Sequence, residues 1–199
     1  MTSVPRLAVA LTVVVASLAP AGVAFADPDN ISKPAAVLRS ADRVRAPQPQ
    51  PVPVVRSDVQ QILDLVNDVR SDHGLRPVSL SERLSAAAQG HTERMASDGA
   101  IFHTDPDDGS NPGTRISRTG YKFATWGENV AAGFPTADAV MKAWMNSPGH
   151  CKNVLNPAFT ELGVGLVTGG NVYNQFWTQK FARPADEPRP SGSYNSAWC

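Results

Sequence analysis

The spacing of the apolar residues changes along this chain, and the change limits the folds open to it. Early on, Val59, Ile62, Leu63, Val66 and Val69 recur every three or four residues, as on one face of a helix. Late in the chain, residues 162–167 and 172–181 are β-like and flank a Gly169-Gly170-Asn171 turn, the pattern of a hairpin. Ser57-Asp58 opens the first helix, and Gly74 and Pro77 end it. Ser79-Leu80-Ser81-Glu82 reads as a capping box for a second helix, whose apolar face is Leu84, Ala87, Ala88, His91 and Met95 and which stops near Gly99. Residues 105–112 read as loop, and 114–119 as a short helix ended by Gly120. Thr136 caps a helix through Val140, Met141, Trp144 and Met145, which Pro148-Gly149 ends. Helices with strands between and after them predict an α+β fold, and no internal repeat is visible.

The flanks read differently. Residues 1–26 have the form of an export signal: Arg6, an apolar run over 7–18, then Ala24-Phe25-Ala26 as a cleavage site. The run is shorter than the about 20 residues that span a bilayer, so cleavage is expected over the rival reading of a retained anchor. Residues 27–56 are Pro-rich and poor in large apolar side chains, which predicts an extended linker unable to fold alone. Residues 57–184 form the expected domain, and 185–199 a Pro/Gly/Ser-rich tail. The chain is expected to be secreted, to the extracellular space or the cell envelope, with no membrane span after cleavage and as a monomer.

Charge excludes one class of partner. With 18 Lys+Arg against 18 Asp+Glu, there is no electrostatic case for binding nucleic acid. The 2 Cys, Cys151 and Cys199, fit one disulfide in an exported chain, closing a loop of roughly 50 residues and worth up to ~4 kcal/mol. The alternative is two free thiols.

Chemistry concentrates in three short words: Phe102-His103-Thr104-Asp105-Pro106, Gly127-Glu128-Asn129 and Ser147-Pro148-Gly149-His150. Imidazole and carboxylate bind zinc or move protons near neutral pH. Gly127 allows close backbone approach, and Asn129 can bond local backbone. Glu128, in apolar surroundings, needs a partner, which a His would supply. Together with Trp144 and the runs Leu162-Gly163-Val164-Gly165 and Phe176-Trp177-Thr178-Gln179, these words resemble the CAP superfamily of cysteine-rich secretory, antigen 5 and pathogenesis-related 1 proteins, in its bacterial secreted branch. The resemblance implies a three-layer α-β-α sandwich with a small central antiparallel sheet, and a cleft faced by His103, Glu128 and His150.

One departure stands out. Many eukaryotic members carry a second Glu three residues after the Trp, where this chain has Ser147. Glu161 is the candidate replacement. Of the remaining His, His73 at a helix end reads as structural or exposed, and His91 as a satisfied core residue. Trp144, Phe159, Phe176 and Trp177 read as core. Neither Ser147 nor Cys151 lies in a nucleophile motif.

Three functions remain open. The first is a non-enzymatic binding module whose His103, Glu128 and His150 cleft takes a lipid or cell-envelope component, with Zn2+ or another divalent cation on His103 and His150. The second is a zinc-dependent hydrolase with Glu128 as catalytic general base. The third is an interaction protein with a vestigial cleft.

Overall fold

In a computed structural model, the described residues are 57–199 apart from Asn171. The expected export signal (1–26) and Pro-rich linker (27–56) lie outside them. The elements run α1 (Asp58–Asp72), β1 (Ser79–Leu80), α2 (Glu82–Asp98), α3 (Pro112–Arg118), β2 (Phe123–Ala132), α4 (Ala137–Met145), α5 (Pro148–Val154), β3 (Glu161–Thr168) and β4 (Gln175–Pro184), then a 3-10 turn at Ser196–Trp198.

The sheet order is β1-β3-β4-β2. β4 is central and antiparallel to both β2 and β3. The two-residue β1 adds a parallel edge, Ser79 opposite Glu161 and Leu80 opposite Leu162. The expected antiparallel core is therefore present, with a short parallel pair appended. That pair also displaces the expected capping box. Ser79 N–H donates to the Thr160 carbonyl and Ser81 N–H to that of Leu162, so this backbone belongs to the sheet. Ser81, not Ser79, is the N-cap of α2.

Alternation along β4 sorts the layers. Phe176, Thr178, Lys180 and Ala182 face α2 and α3; Trp177, Gln179 and Phe181 face α1, α4 and α5. The larger core lies on the second face, where Ile62, Val66, Val140, Trp144, Trp177 and Phe181 are all essentially inaccessible. On the first face α2 lies directly on bare backbone of β3. A Cβ at Gly163 would fall 2.1 Å from the Leu84 carbonyl carbon, and one at Gly165 2.6 Å from that of Ala88. Only glycine permits this approach.

Two local expectations need correction. Pro148-Gly149 does not merely stop α4, which ends at the Asn146 cap. Pro148 is the first residue of α5, where its missing N–H costs nothing, and Ser147 is its cap. His150 therefore belongs to a separate short helix. The hairpin forms, but β4 starts at Gln175 rather than 172 and runs on to Pro184.

Buried polar groups tie the layers. Arg70, 1 % exposed, donates to the carbonyls of Arg76 (2.9 Å), Val154 (2.8 Å), Asn156 (2.9 Å) and Phe159 (3.2 Å), joining α1 to the segment after α5. Burial lowers its pKa to about 10, so it stays charged at neutral pH. The Cys151–Cys199 disulfide joins α5 to the end of the tail. Beside it, the Trp198 ring meets His73 edge-on at 5.2 Å. His73 also bonds the Val69 carbonyl through Nδ1 (2.7 Å), a structural role at the end of α1. No helix among the described residues is long and apolar enough to cross a membrane.

Candidate functional site

Glu128 and Lys180 stand directly opposite each other on β2 and β4. Both side chains turn toward α2 and are effectively sealed, at 1 % and 0 % exposure. A lone buried charge would be very costly, so their direct ion pair is a condition of the fold. Arg115 of α3 completes the set: its Nη2 reaches Glu128 Oε2 at 3.0 Å and Oε1 at 3.3 Å. His103 Nδ1 donates to Oε1 at 2.8 Å, and His91 Nε2 of α2 lies 3.7 Å from the same oxygen.

The carboxylate responds to all of these. Burial, the largest single influence, pushes its pKa up. The His103 hydrogen bond, the charges of Lys180 and His91 and the Lys180 hydrogen bond outweigh that and hold it at about 2. Lys180 is lowered to about 8, by burial first, against the pull of Glu128. His91 is lowered to about 4, again by burial first, and is neutral at pH 7. Its Nε2 faces the Phe102 carbonyl at 2.8 Å, while its buried Nδ1 has no partner. His91 is thus a core residue as expected, but not a fully satisfied one.

The next residue on each strand points the other way. Asn129 is opposite Gln179, and its Nδ2 donates to Gln179 Oε1 (3.0 Å) and to the His150 carbonyl (3.2 Å). Asn153 of α5 returns bonds to Asn129 Oδ1 (2.8 Å) and the Glu128 carbonyl (3.0 Å). Asn129 therefore bonds across to α5 rather than to local backbone. Gly127 makes room for this: a Cβ there would meet Asn153 Oδ1 at 2.8 Å and the Phe159 ring at 2.9 Å. One strand thus fixes both imidazoles, His103 through Glu128 on one face and the His150 helix through Asn129 on the other.

The loop bearing His103 is built, not loose. Arg115 donates to the His103 carbonyl (2.7 Å) and the Ser110 carbonyl (2.6 Å). Asp105 accepts from the Asp107 backbone N–H (2.9 Å), Asp108 from that of Ser110 (2.8 Å), and Arg94 braces Asp105 at 3.2 Å. The acidic run is loop as expected, and its carboxylates are largely spent on holding it.

His103 is 53 % exposed at its side chain and His150 is half-buried. Burial first, then the nearby His103, lowers the His150 pKa. From His150 a groove of about 280 Å3 runs past Trp144, Ala143, Phe134 and Val130 to the exposed Ile101, with Ser147 on its wall. Glu161 is absent from this region. It starts β3 opposite Ala182, beside Tyr121, and does not replace the second cleft Glu.

Sequence reading missed Lys180 and Arg115. Lys180 had a signal: in the alternation Phe176, Thr178, Lys180, Ala182 it is a charge at an inward position. Arg115, in a seven-residue helix, had none.

Comparison with known proteins bears on the family and the fold. The sequence model of the cysteine-rich secretory protein family, CAP, matches residues 63–181. YkwD of Bacillus subtilis (strain 168) is 37 % identical over 159 residues, covering 79 % of this chain and 58 % of its own length. An extracellular SCP-domain protein of Bacillus anthracis str. Ames is 39 % identical with a TM-score of 0.57, over 63 % of this chain and 40 % of that one. An outer surface protein of Borrelia burgdorferi shares the fold at 20 % identity, with a TM-score of 0.59 over 64 % of this chain and 92 % of its own. This chain thus spans well under two thirds of the two more identical relatives.

Proposed function

The chain belongs to the cysteine-rich secretory protein family, and on that premise we propose that it is an extracellular binding module for an amphiphilic lipid or cell-envelope component. The observation that carries this reading is the apolar groove ending at His150. An apolar chain would lie along Ile101, Phe134, Ala143 and Trp144, stabilised by about 25 cal/mol per Å2 of surface removed from water. A polar head group would meet His150 and His103. Export by residues 1–26 and a 27–56 tether would place the domain outside the cell, where the similar Bacillus anthracis protein is described as extracellular.

A divalent cation such as Zn2+ would sit at the same end of the cleft, in an open, weakly held site. His103 and His150 would hold it. Glu128 occupies His103 Nδ1, which fixes the tautomer and leaves Nε2 as the free nitrogen. Among the described residues no group of three or more His, Cys, Asp or Glu is placed to hold a metal, so solvent or ligand would complete the shell. When bound, the cation would supply a Lewis acid for a head-group oxygen.

The hydrolase reading draws less support. It asks Glu128 to take a proton from water, yet both its oxygens are engaged, it is 1 % exposed, and its pKa is about 2.

The test is titration of the oxidised protein with palmitate, followed by tryptophan fluorescence, and with zinc by calorimetry. Palmitate affinity should fall about tenfold in Ile101→Asp, a charge on the groove rim. Zinc binding should vanish in His103→Ala/His150→Ala. If neither palmitate nor an envelope lipid extract bound the wild type, the amphiphile reading would be lost.

A further inference from the structure

Among the described residues the large exposed apolar side chains are Leu80, Ile101, Trp126, Val172 and Tyr173, and three of them meet at one place. Residues 169–174 join β3 to β4, and Gly169 N–H closes the turn on the Asn174 carbonyl. Gly and Asn suit a turn; Val172 and Tyr173 do not, yet they occupy its tip at 66 % and 41 % exposure. Both are braced in place. A Cβ at Gly99, the left-handed cap of α2, would fall 2.6 Å from Val172 Cγ2, so the valine lies against bare backbone. The Tyr173 ring meets the buried Phe176 ring edge-on at 5.6 Å, and its Cδ1 is 3.5 Å from where a Gly133 Cβ would sit. Ile101, 52 % exposed, follows Gly99 by two residues, and Phe134 follows Gly133 directly. The tip therefore adjoins the end of the groove that Ile101 and Phe134 line.

Charge and area say what would cover it. Residues 99–104, 130–137 and 162–179, which build this end of the molecule, contain no Lys, Arg, Asp or Glu, in a chain that is 18 % charged. Asp98, beside Gly99, is already paired with Arg94. An anionic membrane is recognised by clustered Lys and Arg, and none is here. A protein partner needs more surface. The exposed parts of the three side chains come to roughly 300 Å2, against about 800 Å2 on each partner of a stable interface. A small uncharged tip of aliphatic side chains with one tyrosine matches the boundary between head groups and acyl chains, where tyrosine places its ring in the apolar layer and its hydroxyl in the polar one.

We propose that the β3–β4 tip, together with Ile101, docks the domain on the surface of a lipid layer of no net charge. Val172 and Ile101 enter the acyl boundary, and Tyr173 stands at head-group level. The choice of a lipid layer rests on the amphiphile reading of the groove: a tail leaving the layer passes Ile101 and enters directly, without crossing water. Attachment of this kind is driven by apolar area alone, so salt does not weaken it.

The experiment uses the full, oxidised chain and phosphatidylcholine vesicles with bromine on the acyl chains, which quenches tryptophan only at close approach. The emission that Tyr173→Trp adds to the wild-type spectrum should be quenched, equally at about 0.05 M and about 0.5 M salt. Adding Val172→Asp should weaken that quenching about tenfold in lipid concentration. Palmitate affinity should stay within about twofold in both variants, since neither position lines the groove. A wild type that bound no palmitate while the added emission was still quenched would retire the groove reading and keep the docking surface. The proposal is overturned if the added emission is not quenched, if high salt abolishes the quenching, or if Val172→Asp leaves it unchanged. It is also overturned if light scattering shows a dimer that Val172→Asp dissociates, because the tip is then an interface between copies of this chain.

Discussion

Replacing Glu128 by Gln keeps shape and removes one negative charge from a sealed cluster. Lys180, at 0 % side-chain exposure, and Arg115, at 9 %, then face each other with no carboxylate between them. Two routes give the expected size. The carboxyl is held at about 2 against an ordinary 4.5, which corresponds to ~3 kcal/mol of folding free energy at neutral pH. Removing one partner of a buried ion pair typically costs about 3–5 kcal/mol, because the other charge is left uncompensated. Glu128→Gln should therefore lose about 3 kcal/mol or more in urea unfolding at pH 7, with the disulfide intact. Glu128→Gln/Lys180→Met should recover at least half of the loss, since an apolar side chain then replaces the stranded ammonium. The pH dependence has a definite sign. A depressed carboxyl contributes fully above its unfolded value, so this contribution disappears as pH falls from about 4.5 to about 2, and the Gln variant should lack that phase. A loss below about 1 kcal/mol, or a double variant no more stable than the single one, would refute the claim that Glu128 exists to neutralise Lys180 and Arg115.

His91 is buried and neutral, so the unfolded chain binds its proton first. Stability should fall by about 2–3 kcal/mol as pH drops from 6.5 to about 4, and His91→Gln should flatten that interval in denaturant midpoints. Gly165→Ala puts a methyl 2.6 Å from α2 backbone and should cost about 3 kcal/mol or prevent folding, read by circular dichroism and melting temperature. Cys151→Ala/Cys199→Ala should destabilise by up to ~4 kcal/mol and free the Trp198 ring from His73, visible as a change in tryptophan emission.

Apolar periodicity determined most of the element list by itself, because burial on one face imposes spacing on the chain. It placed α1, α2, α4 and the β3–β4 hairpin, and the three short words supplied His103, Glu128 and His150. The disulfide pairing followed from count and compartment. The misses share a cause. The start of α2 moved because β3 claimed the backbone of Ser79, a competitor distant in sequence that the register pairs with it through Glu161. The residues that answer Glu128 besides His103 come from three different elements and were invisible as a set, since nothing local brings Lys180, Arg115 and His91 to one carboxylate. Sequence alone announced that a Glu in this setting needed a partner; only the tertiary structure decided that the partners were two buried cations as well as His103. The physical reason is that the cost of burying a charge belongs to the residue, while its compensation belongs to whatever the fold packs beside it.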